Sequence, residues 1–159
     1  MIRKLLRRVF SKAPAPHEPA LIPVEQHHVR RESISPGARQ TVVRLQEHGH
    51  AAYVVGGAVR DLLAGIVPKD FDIATDATPE QVRGLFRRSR IIGRRFRIVH
   101  VMQGGETIEV STFRAGNGDD AETDAHGRVL RDNVFGNMQE DAARRDFTVN
   151  ALYYDPTTE

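Results

Sequence analysis

Apolar positions along the chain change spacing several times, and each change predicts an element. In residues 1–12, Ile2, Leu5, Leu6, Val9 and Phe10 fall at helical spacing with Arg3, Lys4, Arg7, Arg8 and Lys12 between them. That pattern predicts a short basic amphipathic segment. Residues 13–24 hold four prolines and read as an extended linker. The globular part is expected to start at Ser35, which gives a tail and linker over 1–34 and one domain over 35–159. In "SPGARQTVVRLQEHG", Ser35 suits an N-cap, Pro36 the first helical position and Gly49 the stop. "AAYVV", 51–55, reads as a buried strand, followed by two glycines and a short helix, "AVRDLLAG". "FDIAT" reads as a second strand. Thr78-Pro79-Glu80 opens a helix expected to run to about Arg88. "RFRIVHVMQ" and "ETIEVSTFR" flank Gly104-Gly105 and predict a β-hairpin. The polar, Gly/Asp-rich residues 115–132 read as a mobile loop. "MQEDAARRDFTVNALYYD" has helical propensity with a break near Asp146.

Composition narrows the class. Apolar residues make up 40% and charged residues 28% of the 159 positions, as in an ordinary globular domain. Cysteine is absent, which excludes disulfides and thiolate metal sites and is compatible with a reducing compartment. A cytoplasmic location is the expectation. No apolar run is long enough to predict a transmembrane helix. The net charge of +2 conceals an asymmetry: residues 1–60 carry ten Lys/Arg against four Asp/Glu, and residues 61–159 carry thirteen against seventeen. A basic front end beside an acidic remainder suggests separate sites for an anion and for metal. The basic tail suits a contact with RNA or, peripherally, with an anionic membrane.

Four constellations could carry chemistry. In "PKDFDIAT", Asp70 and Asp72 lie on one face of a strand, with Cα atoms about 6.6 Å apart. Their oxygens can converge on hard divalent cations, which take oxygen ligands and serve phosphoryl transfer in pairs. Alone, such a pair reads more readily as a solvated strand end. Glu109 is placed to add a third carboxylate, because Thr107, Glu109 and Ser111 share one face of their strand and Ile108 and Val110 the other. In "VVGGAVRD", Gly56 and Gly57 let backbone approach a phosphate where a strand meets a helix, and Arg60 could add a bidentate contact. Neither the dinucleotide fingerprint nor the P-loop is present. The window 83–97 contains seven arginines and no acid; within it Arg94, Arg95 and Arg97 surround Phe96, a grouping suited to an RNA backbone. In "EDAARRDFTVNALYY", Arg144 and Arg145 precede Asp146, and the three could reach a triphosphate or form only a surface ion pair. None of the seven histidines has metal-ligand spacing to these candidates.

The order of these segments is more specific than any one of them. "GGAVRDLLAGIVPKDFDIATDATPEQV", "IIGRRFRIVHV", "IEVSTFR" and "RRDFTVNALYY" closely resemble the nucleotidyltransferase head of the bacterial poly(A) polymerase and tRNA CCA-adding enzyme family, within the DNA polymerase beta-like superfamily. The resemblance covers roughly Ile22 to Asp155. It implies an α/β (α+β) fold with a mixed sheet packed against helices, and activity with two Mg²⁺ ions held by Asp70 and Asp72. It places Gly56, Gly57 and Arg60 at the nucleotide phosphates, and Asp146, with the nucleotide-binding candidates Arg144 and Arg145, on the motif that closes the head. It leaves open whether Glu109 or Asp146 is the third catalytic carboxylate. The segment "IPVEQHHVRRESISPGA" resembles the poly(A) polymerases more than the CCA-adding relatives. The implied activity is therefore transfer of AMP from ATP to an RNA 3′-hydroxyl, with CCA addition to tRNA, or a non-catalytic nucleotide- or RNA-binding head, as alternatives. Family members continue through a helical neck, body and tail, so the chain is expected to be the front portion of a larger enzyme.

Overall fold

The computed structural model describes residues 19–94, 96–115 and 135–158, and the backbone of 122–123 and 129–131. The basic segment at 1–12, with the RNA and membrane contacts expected of it, and Arg95 lie outside the described residues. After a helical turn, α1 (Val24–His27), the first long element is α2 (Pro36–Glu47). It starts as expected: the Ser35 side chain accepts a hydrogen bond from the Ala38 amide at 3.3 Å, and Pro36 occupies the first turn. Ala38, Thr41, Val42 and Leu45 form its buried stripe. The core also takes in Val29 and Ile34, upstream of the expected start at Ser35.

The remaining elements are β1 (Ala52–Val55), α3 (Gly57–Leu63), β2 (Asp72–Thr75), α4 (Pro79–Leu85), β3 (Ser89–Ile92), β4 (Ile98–Gln103), β5 (Glu106–Thr112), β6 (Glu122–Thr123), β7 (Val129–Arg131), α5 (Met138–Ala143) and β8 (Tyr153–Tyr154). Six strands form one mixed sheet in the order β3-β4-β5-β2-β1-β8. Only β2 and β5 run parallel, side by side near its middle. The α/β expectation and the β4–β5 hairpin are both present. One face of the sheet, with Ala52, Val54, Ile73, Val99, Val101, Ile108 and Val110, packs against Ala38, Val42 and Leu45 of α2 and Val82 of α4. Fully burying each valine, leucine or isoleucine side chain there contributes about 1.5–3 kcal/mol relative to leaving it in water. On the other face a smaller cluster forms around Val55, Ala74 and Phe113, with Tyr53, Met138 and Tyr153 against it. Beyond that cluster the face is largely polar, apart from Ile92 and Ile98. Among the described residues no helix is long and apolar enough to cross a membrane.

Three local readings change. The helix expected to reach Arg88 ends at Leu85; its Thr78–Gln81 capping box fixes the start, and the chain then turns into β3 to pair with β4. Within the expected loop 115–132, β6 and β7 pair with each other. The C-terminal helix is only α5; the chain bends at Arg144–Phe147, where Phe147 takes φ 60°, passes through a 3₁₀ turn at Thr148–Asn150 and joins β1 as β8.

Candidate nucleotidyl-transfer site

The register of β2 against β5 builds the site. Asp72 lies beside Glu109 on the parallel neighbour and beside Val55 on the antiparallel one. Neighbours in register point to the same side, so the carboxylates of Asp72 and Glu109 share the polar face. Asp70 stands two residues before β2, outside the strand on which the sequence pattern set it, and is exposed. Asp72 keeps solvent contact, yet crowding by protein atoms, followed by the negative charges of Glu109 and Asp70, raises its carboxyl above the ordinary value; Arg145 works in the opposite direction. Asp70, Asp72 and Glu109 thus form one electrostatic group. Asp146 is exposed on the bend after α5 and is not among the charges that act on Asp72.

Arg145 is held from behind. Its Nε and Nη2 donate to Asp141 Oδ2 at 3.0 and 2.9 Å, and Nε also donates to the Tyr153 hydroxyl at 3.1 Å. The Tyr153 hydroxyl donates to Asp141 Oδ2 at 2.6 Å, and the Arg114 amide reaches Asp141 Oδ1 at 3.2 Å. Asp141 is only 3% exposed. Burial works against the charge of Arg145, but Asp141 and Tyr153 outweigh it and raise its pKa above the ordinary arginine value. Sequence reading assigned no role to Asp141 or Tyr153. Their only signals were the four-residue helical spacing of Asp141 and Arg145 and a tyrosine beyond the bend.

The glycine pair joins this group. Gly56 adopts φ 70°, ψ −131° and its amide donates to Leu152 O at 3.1 Å. A methyl group on its Cα would lie 3.7 Å from Arg145 Nη1, so the turn passes directly beside that guanidinium. Arg60 folds back over Gly57, donating to Asp61 Oδ1 at 2.9 and 2.7 Å and to Asn150 Oδ1 at 3.1 Å. Arg144 is half-buried on the bend. The structure therefore brings Gly56, Gly57, Arg60 and Arg145 together on the β1 side of the carboxylates. The Arg94–Arg97 group is placed differently: Arg94 is exposed, and Arg97 pairs with Glu80 of α4 at 2.5 Å.

Among the described residues no three His, Asp or Glu side chains converge closely enough to enclose a metal ion. Asp70 and Asp72 nevertheless fit Mg²⁺, which is commonly held by one or two carboxylates with water and substrate phosphates completing the shell. Burial contributes most to the raised pKa of Asp72, and the repulsion from Glu109 and Asp70 that adds to it is what a bound cation would relieve.

This arrangement has relatives. Residues 52–159 match the family model described as the poly(A) polymerase head domain, and the chain belongs to that family. It is 52% identical over 163 residues to poly(A) polymerase I of Salmonella typhi, an alignment covering 96% of this chain and 35% of that protein. It is 43% identical over 112 residues to the CCA-adding enzyme of Geobacillus kaustophilus, covering 70% of this chain and 27% of that protein. Among solved structures, the Bacillus stearothermophilus CCA-adding enzyme in complex with CTP matches with a TM-score of 0.61 at 38% identity, covering 78% of this chain and 29% of that one. The chain thus spans about a third of the length of the curated poly(A) polymerases it matches.

Proposed function

We propose that the chain is the catalytic head of a template-independent poly(A) polymerase, which transfers AMP from ATP to an RNA 3′-hydroxyl and releases pyrophosphate. The observation that carries the reading is the pairing of Asp72 with Glu109 in register, with Asp70 beside them and Arg145 held at Gly56. Asp70 and Asp72 would hold Mg²⁺, two ions in such chemistry; when bound, the ions neutralise phosphate charge and lower the pKa of the attacking hydroxyl. Gly56 and Gly57 admit the triphosphate close to backbone, and Arg60, Arg144 and Arg145 offset its charge. The 3′-oxygen forms a bond to the α-phosphorus as the bond to the bridging oxygen breaks. Pyrophosphate leaves with that electron pair, and Asp72 and Glu109 supply carboxylates on this face to take the hydroxyl proton. Glu109 is accordingly the third carboxylate in this reading, and Asp146 belongs to the bend that places Arg145. The work of the protein is placement and charge stabilisation, with no covalent intermediate. A cytoplasmic location goes with it, since ATP and RNA are both at hand there.

Adenylyl transfer is favoured over CCA addition because the poly(A) polymerase alignment covers 96% of the chain and the CCA-adding alignment 70%. The full-length protein is tested with ATP alone and CTP alone, on generic RNA and on tRNA lacking its 3′ end. Repeated A addition to generic RNA is expected. Incorporation of C followed by a single A establishes CCA addition instead, and Mg²⁺-dependent ATP binding without incorporation establishes a binding module. Asp70→Ala is expected to abolish transfer with the circular dichroism spectrum unchanged; turnover at the wild-type rate would remove Asp70 from the site.

A further inference from the structure

The sheet carries one continuous row of cross-strand neighbours through the carboxylates. Reading outward from β3, Arg90 lies opposite His100, His100 opposite Glu109, Glu109 beside Asp72, Asp72 opposite Val55, and Val55 opposite Tyr153. All six side chains lie on the polar face. Val99, Val101, Ile108 and Val110, which alternate with His100 and Glu109, point into the core. Strand spacing of about 4.8 Å puts His100 two strands, about 10 Å, from Asp72, and Arg90 a further strand out. His100 Nε2 lies 3.7 Å from Glu109 Oε2, and Arg90 is exposed. Of the six described arginines in 83–97, Arg90 is the one in the middle of a strand on the face of the carboxylates, whereas Arg97 is paired to Glu80.

Phosphoryl transfer requires the attacking and leaving oxygens to lie roughly in line. The groups suited to the triphosphate, Gly56 and Arg145, lie on the β1 side of Asp72. Pyrophosphate departing on that side obliges the acceptor strand to approach from the β5, β4 and β3 side. There the polar face offers His100 and Arg90 for a phosphodiester backbone. Ile92 and Ile98, paired in register two residues along, give apolar surface beside them for a terminal base or ribose. We infer that Arg90 and His100 form the subsite for the last phosphates of the RNA acceptor, an inference that rests on the adenylyl-transfer reading.

The test uses the full-length protein, with Arg90→Ala and His100→Ala compared with wild type and with Arg83→Ala, a control on the exposed side of α4. Initial rates of A addition are measured with RNA varied at saturating ATP and with ATP varied at saturating RNA. Loss of one charge-assisted phosphate contact is expected to raise the RNA KM about tenfold in Arg90→Ala, with the ATP KM unchanged. The log–log salt dependence of RNA binding should become shallower by roughly 0.7, one single-strand phosphate. Arg90→Lys should recover part of the affinity. An RNA KM unchanged in both alanine variants, or a rise confined to the ATP KM, overturns the subsite. Fluorescence anisotropy of a labelled RNA in EDTA gives binding without turnover. If wild type adds C or nothing, the polyadenylation reading fails, and the anisotropy of the two variants still decides whether RNA lies on this row.

Discussion

Two aspartates in this chain experience opposite environments, and their removal should change stability in opposite directions. Asp141 is buried among donors: the Arg114 amide, two nitrogens of Arg145 and the Tyr153 hydroxyl. Asp141→Ala leaves the half-buried Arg145 guanidinium without its carboxylate; breaking a fully buried ion pair from one side costs about 3–5 kcal/mol, and the partial exposure of Arg145 brings the expected loss below that range. Urea denaturation should show that loss, and the ATP KM of the full-length protein should rise as Arg145 loses its anchor. Asp72 faces carboxylates, and burial by protein atoms, followed by the negative charges of Glu109 and Asp70, raises its pKa above the ordinary 3.8. An acid whose pKa is higher folded than unfolded binds more protons when folded, so stability falls as pH rises through the interval between the two values. In chelator, Asp72→Asn should therefore melt at a higher temperature than wild type at neutral pH. The difference should shrink as pH falls through the raised value and vanish below about 3.8. A wild-type melting temperature that rises with pH across this interval, with no gain from Asp72→Asn, would show that the carboxylates do not repel one another.

At the scale of elements, the turn from β1 into α3 depends on glycine conformation. Gly56 at φ 70°, ψ −131° occupies backbone space that a side chain strongly disfavours. A methyl group there meets Arg145 Nη1 only at an ordinary 3.7 Å, so the penalty in Gly56→Ala is conformational, about 1–3 kcal/mol. Chemical denaturation should give that value, and ATP binding should weaken if, as proposed, the same turn borders the triphosphate. The glycine turn was legible in the sequence, though as a place for a phosphate and not for the positive φ that Gly56 adopts; α2 and α4 were legible too, their starts written in Ser35-Pro36 and Thr78-Pro79. The alternation that sets Glu109 on the face opposite Ile108 and Val110 was legible as well, whereas Asp70 lies before β2 and not on it. Strand β3 was not, because Ser89–Ile92 is four residues in an arginine-rich run and its strand character comes from pairing with β4. Strand β8 was hidden by helical propensity that the bend at Phe147 interrupts. Asp141 and Tyr153 were invisible as a pair because only that bend brings the second back to the first.

Across the whole molecule, the sheet order concentrates negative charge at the one place where two strands run parallel. The pairing of β2 with β5 sets Asp72 beside Glu109, while the cations lie to either side, Arg145 beyond β1 and Arg90 out on β3. A fold that gives one face to its hydrophobic core thus gathers carboxylates on the other, offset only in part by Arg145 and His100. A ligand that binds only the folded state stabilises it by mass action, so a divalent cation at Asp70 and Asp72 should raise the melting temperature. Monovalent salt also softens repulsion between exposed charges, by screening over about 10 Å at 0.1 M. The two effects are separated by melting the protein in MgCl2 and in NaCl at equal ionic strength. Wild type should gain more from MgCl2, with the excess following a saturable dependence on concentration. In Asp70→Asn and Asp72→Asn the excess should disappear while the NaCl response remains. Equal responses to the two salts in wild type would mean that the carboxylates feel only the ionic atmosphere, and the cation would then have to enter with the nucleotide, bound to its phosphates.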